Sequence, residues 1–80
     1  MKIYFMRTSH YELGEDTPLK EGMACFLDKA NAEKWFDEIN PVGYTTEIIN
    51  KSSACKLKIC KSYDKMKSFW VRMYELETED

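Results

Sequence analysis

The chain has few of the residues from which catalytic and cofactor sites are usually built. Its 80 residues include one histidine, and its three glycines stand apart at Gly14, Gly22 and Gly43, so no glycine-rich phosphate-binding loop is present. Acidic pairs such as Glu15 and Asp16 are adjacent in sequence, which is typical of solvated surface rather than of general acid–base catalysis. The sequence therefore predicts a protein that is not an enzyme and that carries no cofactor.

The chain also lacks a long apolar run. A helix needs about 20 mostly apolar residues to cross a bilayer, and no segment approaches that length. The first residues, MKIYFMRTSHYE, become polar too soon for a secretory signal. We therefore expect a cytoplasmic protein with no membrane association.

The cysteines are odd in number and include no CxxC pair. Cys25, Cys55 and Cys60 therefore predict free thiols in a reducing compartment rather than a disulfide framework. Together with His10 they would provide four zinc ligands, and the gap between Cys55 and Cys60 falls within zinc-finger spacing. Residues five apart in a strand point to opposite faces, however, so we expect no metal site.

The net charge of −2 conceals three blocks of different sign. Residues 1–50 carry a net charge of −4, residues 51–67 carry +5 and residues 68–80 carry −3. The simplest interpretation of the basic block is a solvated, lysine-rich hairpin. The alternative function that it supports is single-stranded nucleic-acid binding, in which lysines follow the phosphates and bases stack on an aromatic sheet face.

The clearest predicted element is a helix that begins at Lys29. Asp28 before it is a good N-cap, and Ala32 lies where it can pack against Leu27. The helix should end near Ile39, because a proline at position 41 disfavours helical geometry in the residue before it.

The rest of the hydrophobic pattern predicts strands. They are expected at Lys2–Ser9, Met23–Leu27, Tyr44–Ile49, Cys55–Lys61 and Ser68–Glu77, with a loop over 12–22 and a turn over 50–53. The last segment also fits a helix that starts at Asp64, but its aromatic and valine content favours a strand. We expect a single α+β domain over residues 1–80, a two-layer sandwich in which one helix packs on a four- or five-stranded, mainly antiparallel sheet.

One short helix can cover only one face of such a sheet. Alternation predicts that the covered face consists of Ile3, Phe5, Leu57, Ile59, Phe69, Val71 and Met73. The uncovered face would then hold Tyr4, Met6, Lys56, Lys58, Cys60, Trp70, Arg72 and Tyr74. Tyrosine, tryptophan, methionine and arginine are enriched at protein interfaces. We therefore expect a partner-binding surface made of Tyr4, Met6, Lys56, Lys58, Trp70, Arg72 and Tyr74.

Two other arrangements of these aromatic residues stay open. Trp70 and Tyr74 could pack beneath the loop over 12–22, or against a second copy of the chain in a homodimer. If the partner is a nucleic-acid enzyme, acidic side chains could instead imitate phosphates against its basic groove. The residues expected to do so are Glu12, Glu15, Asp16 and Glu21, or those of the acidic tail, Glu75, Glu77, Glu79 and Asp80.

Three segments give the chain a recognisable layout. They are the apolar opening strand MKIYFM, the segment Cys25–Phe36 (CFLDKANAEKWF), in which a strand leads into one helix, and the acidic end ELETED. In this layout the chain resembles short phage- or prophage-encoded proteins of the anti-CRISPR and anti-defence inhibitor type. The resemblance implies a compact inhibitor that occludes a host enzyme or nucleoprotein complex, such as a CRISPR effector, in the host cytoplasm. It implies no particular site residues, because those inhibitors share no common site.

Overall fold

The computed structural model describes residues 1–52 and 55–79, which contain one helix and five strands. In chain order they are β1 (Lys2–Glu12), β2 (Lys20–Phe26), α1 (Lys29–Glu38), β3 (Tyr44–Lys51), β4 (Cys55–Ser62) and β5 (Lys67–Glu77). The strands form one antiparallel sheet in the order β2-β1-β5-β4-β3. The expected α+β class and antiparallel sheet are therefore confirmed.

The strand over Ser68–Glu77 is confirmed as well, and it occupies the centre of the sheet. β5 pairs along its whole length with β1, from Lys67 opposite Glu12 to Glu77 opposite Lys2, and it pairs with β4 on its other side. Its backbone is therefore hydrogen-bonded on both sides, an arrangement that suits its aromatic and branched side chains.

Several strands extend beyond the apolar runs from which they were predicted. β2 begins at Lys20, inside the expected loop, and β3 continues through Asn50, where a turn was expected. In both places the strand continues because it still pairs with its neighbour in the sheet. Lys20 lies opposite His10 of β1, and Lys51 lies opposite Lys56 of β4. The predicted turn also includes Ser53, which lies outside the described residues, as does Asp80 of the acidic tail.

The helix begins and ends where its capping signals predict. The Asp28 side chain accepts a hydrogen bond from the Ala30 backbone N–H at 3.0 Å, which satisfies one of the free amides of the first turn. At the other end the Ile39 N–H donates to the Trp35 carbonyl, and the chain then leaves the helix before Pro41. No helix within the described residues has the length and apolar character needed to cross a membrane.

The buried cluster combines side chains of α1 with side chains of the strands. Ala32 and Phe36 supply the helical side of this cluster and are almost fully buried. The strands supply Tyr4, Met6, Cys60, Phe69, Val71 and Met73. The predicted core positions of Phe69, Val71 and Met73 on β5 are therefore confirmed.

The predicted faces of β1 and β4 are wrong. Tyr4, Met6 and Cys60, expected on the uncovered face, are buried in the core, and Lys58 is only 3% exposed. Lys56 also lies on the helix side of the sheet, where it bonds to Glu33 of α1. The residues expected beneath the helix lie on the opposite face, namely Ile3, Phe5, Leu57 and Ile59.

Cross-strand pairing explains this reversal. β1 carries apolar residues on both faces, so alternation alone does not show which face is buried. Directly paired residues point to the same side of a sheet, and Met6 lies opposite Met73 while Lys58 lies opposite Val71. The residues of β1 and β4 that pair with the buried residues of β5 therefore lie on the same, buried side of the sheet.

Candidate functional site

The sheet face opposite α1, called the open face below, carries a continuous set of aromatic and aliphatic side chains. Trp70, Arg72 and Tyr74 of β5 lie on it, as the sequence predicted, and all are half-buried. β1 and β4 flank them with apolar residues that the sequence placed on the other face. The open face thus includes Ile3, Phe5, Arg7, Ser9, Tyr11, Leu57, Ile59, Trp70, Arg72 and Tyr74.

Trp70 forms a small packed cluster on this face. It lies between Ser9 of β1 and Ile59 of β4, and those two side chains are only 1% and 6% exposed although α1 is on the other side of the sheet. The Trp70 Nε1–H donates to the Ser68 hydroxyl at 3.1 Å, and the Tyr11 ring meets the indole edge to face at 5.8 Å. Trp70 is therefore held in one orientation rather than left to move freely.

Arg72 and Tyr74 continue the row along β5. The Arg72 guanidinium lies 5.1 Å from the centre of the Trp70 ring, within the range of a cation–π contact. Tyr74 faces Phe5 of β1, with 6.3 Å between the ring centres. The row therefore offers a surface with a large contact area and two polar groups, the guanidinium and the phenol.

Most lysines of the basic block bind groups of the same chain. Lys51 pairs with Asp37 at 3.0 Å and Lys56 pairs with Glu33 at 2.9 Å, so both reach acids of α1. Lys65 pairs with Glu47, and these contacts hold the pKa values of Glu33 and Glu47 below their ordinary range. The basic hairpin is therefore in large part the counter-charge of the acidic first half of the chain.

Lys58 serves the helix in a different way. Its ammonium group donates to the carbonyls of Phe36, Asp37 and Ile39 at 3.1, 3.0 and 2.7 Å. These carbonyls lie at the C-terminal end of α1, where four carbonyls lack partners within the helix and the helix dipole is negative. Lys58 is therefore a structural residue and not part of a partner-binding surface.

Of the acidic residues expected to imitate phosphates, three line one cleft. Glu12 ends β1, Glu15 and Asp16 lie in the loop after it, and all three are exposed at a cleft that Trp70 also lines. Glu21 lies apart from them on β2 and pairs with Arg7 at 3.2 Å. Residues of the loop and Trp70 thus line the same cleft.

The thiols and the single histidine lie far apart in the sheet. Cys25 and Cys55 are on the open face of β2 and β4, whereas Cys60 is buried on the helix side. The His10 ring packs against Phe69 on the helix side in a tilted arrangement, with 4.6 Å between the ring centres, and burial together with Lys20 lowers the pKa of His10. Within residues 1–52 and 55–79, no group of three or more histidine, cysteine, aspartate or glutamate side chains could hold a metal ion.

A second cavity, of about 450 Å³, opens on the helix side of the sheet between β2 and the end of α1. Its lining is mainly apolar and includes Met6, Met23, Trp35 and Ile39. The polar groups that reach it come from Thr8, His10 and Asn40, and Asn40 already donates to the Tyr44 carbonyl at 3.2 Å. These groups do not form a nucleophile–base pair.

The sequence reasoning missed the apolar half of the open face. Ile3, Phe5, Leu57 and Ile59 became part of it because β1 and β4 take their faces from β5. The signal in the sequence that bears on these faces is the alternation of β5, because Phe69, Val71 and Met73 on one side are all apolar whereas the other side carries Arg72. Comparison of the chain with protein-family models, with curated proteins and with solved structures found no match.

Proposed function

We propose that this protein is a small, non-enzymatic inhibitor that binds a larger protein through its open face and blocks that protein sterically. The target class that we propose is a host enzyme or nucleoprotein complex such as a CRISPR effector, in keeping with the phage-encoded anti-defence type that the sequence resembles. The proposal treats the fold as two layers, with α1 on one side of the sheet and the partner on the other.

The observation that carries the proposal is the composition of the open face. Trp70, Arg72 and Tyr74 are of the residue types that dominate binding energy at protein interfaces. They lie among Phe5 and Leu57, which are only half-buried in the chain on its own. A contiguous apolar surface with a few polar groups is typical of a protein-interaction site.

The internal pairing of the lysines favours a protein partner over a nucleic acid. Binding to single strands depends on cations that are free to neutralise phosphates. Lys51, Lys56, Lys58 and Lys65 already contact acids or carbonyls of the chain. In addition, the exposed acids of the loop after β1 lie beside the aromatic row and would repel a polyanion.

The test uses a panel of purified CRISPR effector complexes and measures their cleavage of target DNA. We expect stoichiometric inhibition of at least one complex by the wild-type protein. Tyr74→Ala should weaken that inhibition by about tenfold or more, because it removes an aromatic anchor from the centre of the surface. Tyr63→Ala provides a matched control, since Tyr63 is 72% exposed in the turn after β4 and away from the open face.

Two results would contradict the proposal. Equal loss of inhibition in both tyrosine variants would mean that the open face is not the contact surface. A homodimer in sedimentation experiments that dissociates on Tyr74→Ala would mean that a second copy of the chain, and not a different protein, occupies this face. Circular dichroism of each variant separates loss of binding from loss of folding.

A further inference from the structure

A cleft of about 420 Å³ opens on the open face where the loop after β1 meets the turn between β4 and β5. Tyr11 and Trp70 contribute aromatic surface to it. Its charged lining includes Lys61, Lys67 and Arg72 as well as Glu12, Glu15 and Asp16, and Glu12 lies directly opposite Lys67 in the β1–β5 ladder. The cleft therefore combines an aromatic surface with side chains of both charges.

Arg72 is half-buried, whereas the lysines that line this cleft, Lys61, Lys65 and Lys67, are exposed. Among the described residues, 1–52 and 55–79, no carboxylate lies within the 4.0 Å of an ion pair with its guanidinium. Its partners are the Trp70 ring, Leu57 on β4 and, directly opposite on β1, the like-charged Arg7. Arg7 has its own anion in Glu21, so Arg72 is left with a full charge among apolar neighbours.

This arrangement is unfavourable for the chain on its own. Like charges directly opposite each other destabilise an antiparallel pair, and a half-buried guanidinium is poorly hydrated. A carboxylate that docks beside Arg72 would form a charge-assisted, bidentate pair in a partly desolvated setting, where such pairs are strong. The position therefore suits an anion supplied from outside the chain.

The charged residues that line the cleft favour a single carboxylate over a nucleic-acid backbone. A nucleic-acid backbone would bring several phosphates, and some of them would meet Glu12, Glu15 and Asp16. A single carboxylate next to an apolar side chain needs only one cation, Arg72, while the apolar group contacts Trp70. The charge pattern thus fits an acidic peptide segment better than a polyanion.

We propose that this cleft binds an aspartate or glutamate side chain of the partner protein, with Arg72 as its anion-binding residue and Trp70 as the apolar contact. The proposal rests on the proposed function, because it identifies what the partner presents to the open face.

The experiment selects binders from a displayed library of random peptides of about 12 residues, with the intact protein immobilised as bait. We expect the selected peptides to be enriched in an acidic residue next to an aromatic or aliphatic one. Arg72→Gln should weaken their binding by about tenfold or more. Replacing the peptide's Asp by Asn should weaken binding to the wild-type protein by the same factor, and it should cause no further loss of binding to Arg72→Gln. Lys34→Gln is the matched control, because Lys34 is exposed on α1 and loses the same charge.

The outcomes separate this inference from the proposed function. Peptides that quench or shift Trp70 fluorescence but bind Arg72→Gln as tightly as the wild type would overturn the inference and leave the open face as a binding surface. Peptides that bind without affecting Trp70, or a selection without binders, would count against both. A single-stranded oligonucleotide that displaces the peptides would show that the cleft prefers phosphates. The unfolding midpoint of Arg72→Gln should be no lower than that of the wild type, because the substitution removes the like charge opposite Arg7, and this result excludes misfolding as the cause.

Discussion

At the scale of single residues, Lys58 shows how a polar side chain in an alternating strand can belong to the core. α1 has no basic residue in its last turn, so the helix does not by itself neutralise the negative end of its dipole. Lys58 reaches that end from β4 and donates to three carbonyls. A cation from the sheet thus does what a lysine in the helix's last turn would do.

Replacing this lysine should be destabilising even though its carbon stem is apolar. We expect Lys58→Met to lower the free energy of unfolding by about 2 to 3 kcal/mol, because partly buried carbonyls lose a charged donor. Lys61→Met, on the same strand but exposed on the open face, should change it by less than about 0.5 kcal/mol. Urea denaturation followed by circular dichroism measures both. Equal stabilities of the two variants would show that the contacts with α1 contribute little.

At the scale of secondary-structure elements, the sequence predicted what depends on local signals. Asp28 and Pro41 bound the helix, and the alternation of β5 placed Val71 inside and Arg72 outside, because these signals act within a few residues. The faces of β1 and β4 depend instead on strand neighbours that are distant in sequence. The alternation of β4 predicts that its lysines are solvated. Lys58 is buried instead because the C-terminal end of α1 lies over it and its carbonyls accept hydrogen bonds from the ammonium group.

The edge strand β2 offers a test of close packing between neighbouring strands. A Cβ atom at Gly22 would lie 2.7 Å from Thr8 Oγ1, so the absence of a side chain accommodates the threonine of β1. Alanine is otherwise favoured over glycine in a strand by roughly 0.5 to 1 kcal/mol. We therefore expect Gly22→Ala to raise the free energy of unfolding by about that amount in a Thr8→Ala background, and to raise it less or lower it in the wild type.

Thermal or urea unfolding of the four proteins in this cycle gives the coupling between the two positions. Additive effects, with Gly22→Ala equally stabilising in both backgrounds, would contradict the close approach of Thr8. The exposed Gly14 lies at positive φ with open space around it, so it cannot substitute as a control for a strand glycine.

At the scale of the whole molecule, the charge blocks of the sequence become pairs between distant segments. Asp37 and Glu33 of α1 meet Lys51 and Lys56, and Glu47 meets Lys65 across the sheet. Exposed pairs of this kind contribute little to stability one by one. Together with the contacts of Lys58 to α1, they engage four of the six lysines of the basic block, Lys51, Lys56, Lys58 and Lys65.

Stability should depend on pH in two separate ranges. Burial and the nearby Lys20 lower the pKa of His10 from its ordinary value of 6.5, so the unfolded chain takes up this proton at a higher pH than the folded chain. The free energy of unfolding should therefore fall as the pH drops below 6.5. The lowered pKa values of Glu33, Glu47 and Asp64 add a further loss at more acidic pH, below their ordinary values of 4.5, 4.5 and 3.8.

His10→Gln separates the two ranges, because it removes the histidine and leaves the carboxylates in place. Urea denaturation at about pH 7 and about pH 5 should show a smaller loss of stability in His10→Gln than in the wild type. Parallel pH profiles of the two proteins over this range would show that His10 is as accessible to protons in the folded chain as in the unfolded one.

The two tryptophans lie on opposite sides of the sheet, Trp35 beside Phe26 on α1's side and Trp70 beside Tyr11 on the open face. Each indole therefore reports on a different surface. In a Trp35→Phe protein the remaining emission would follow occupation of the open face alone, and in a Trp70→Phe protein it would follow detachment of the helix. The chain thus contains its own pair of optical probes, one for binding and one for unfolding, without any attached dye.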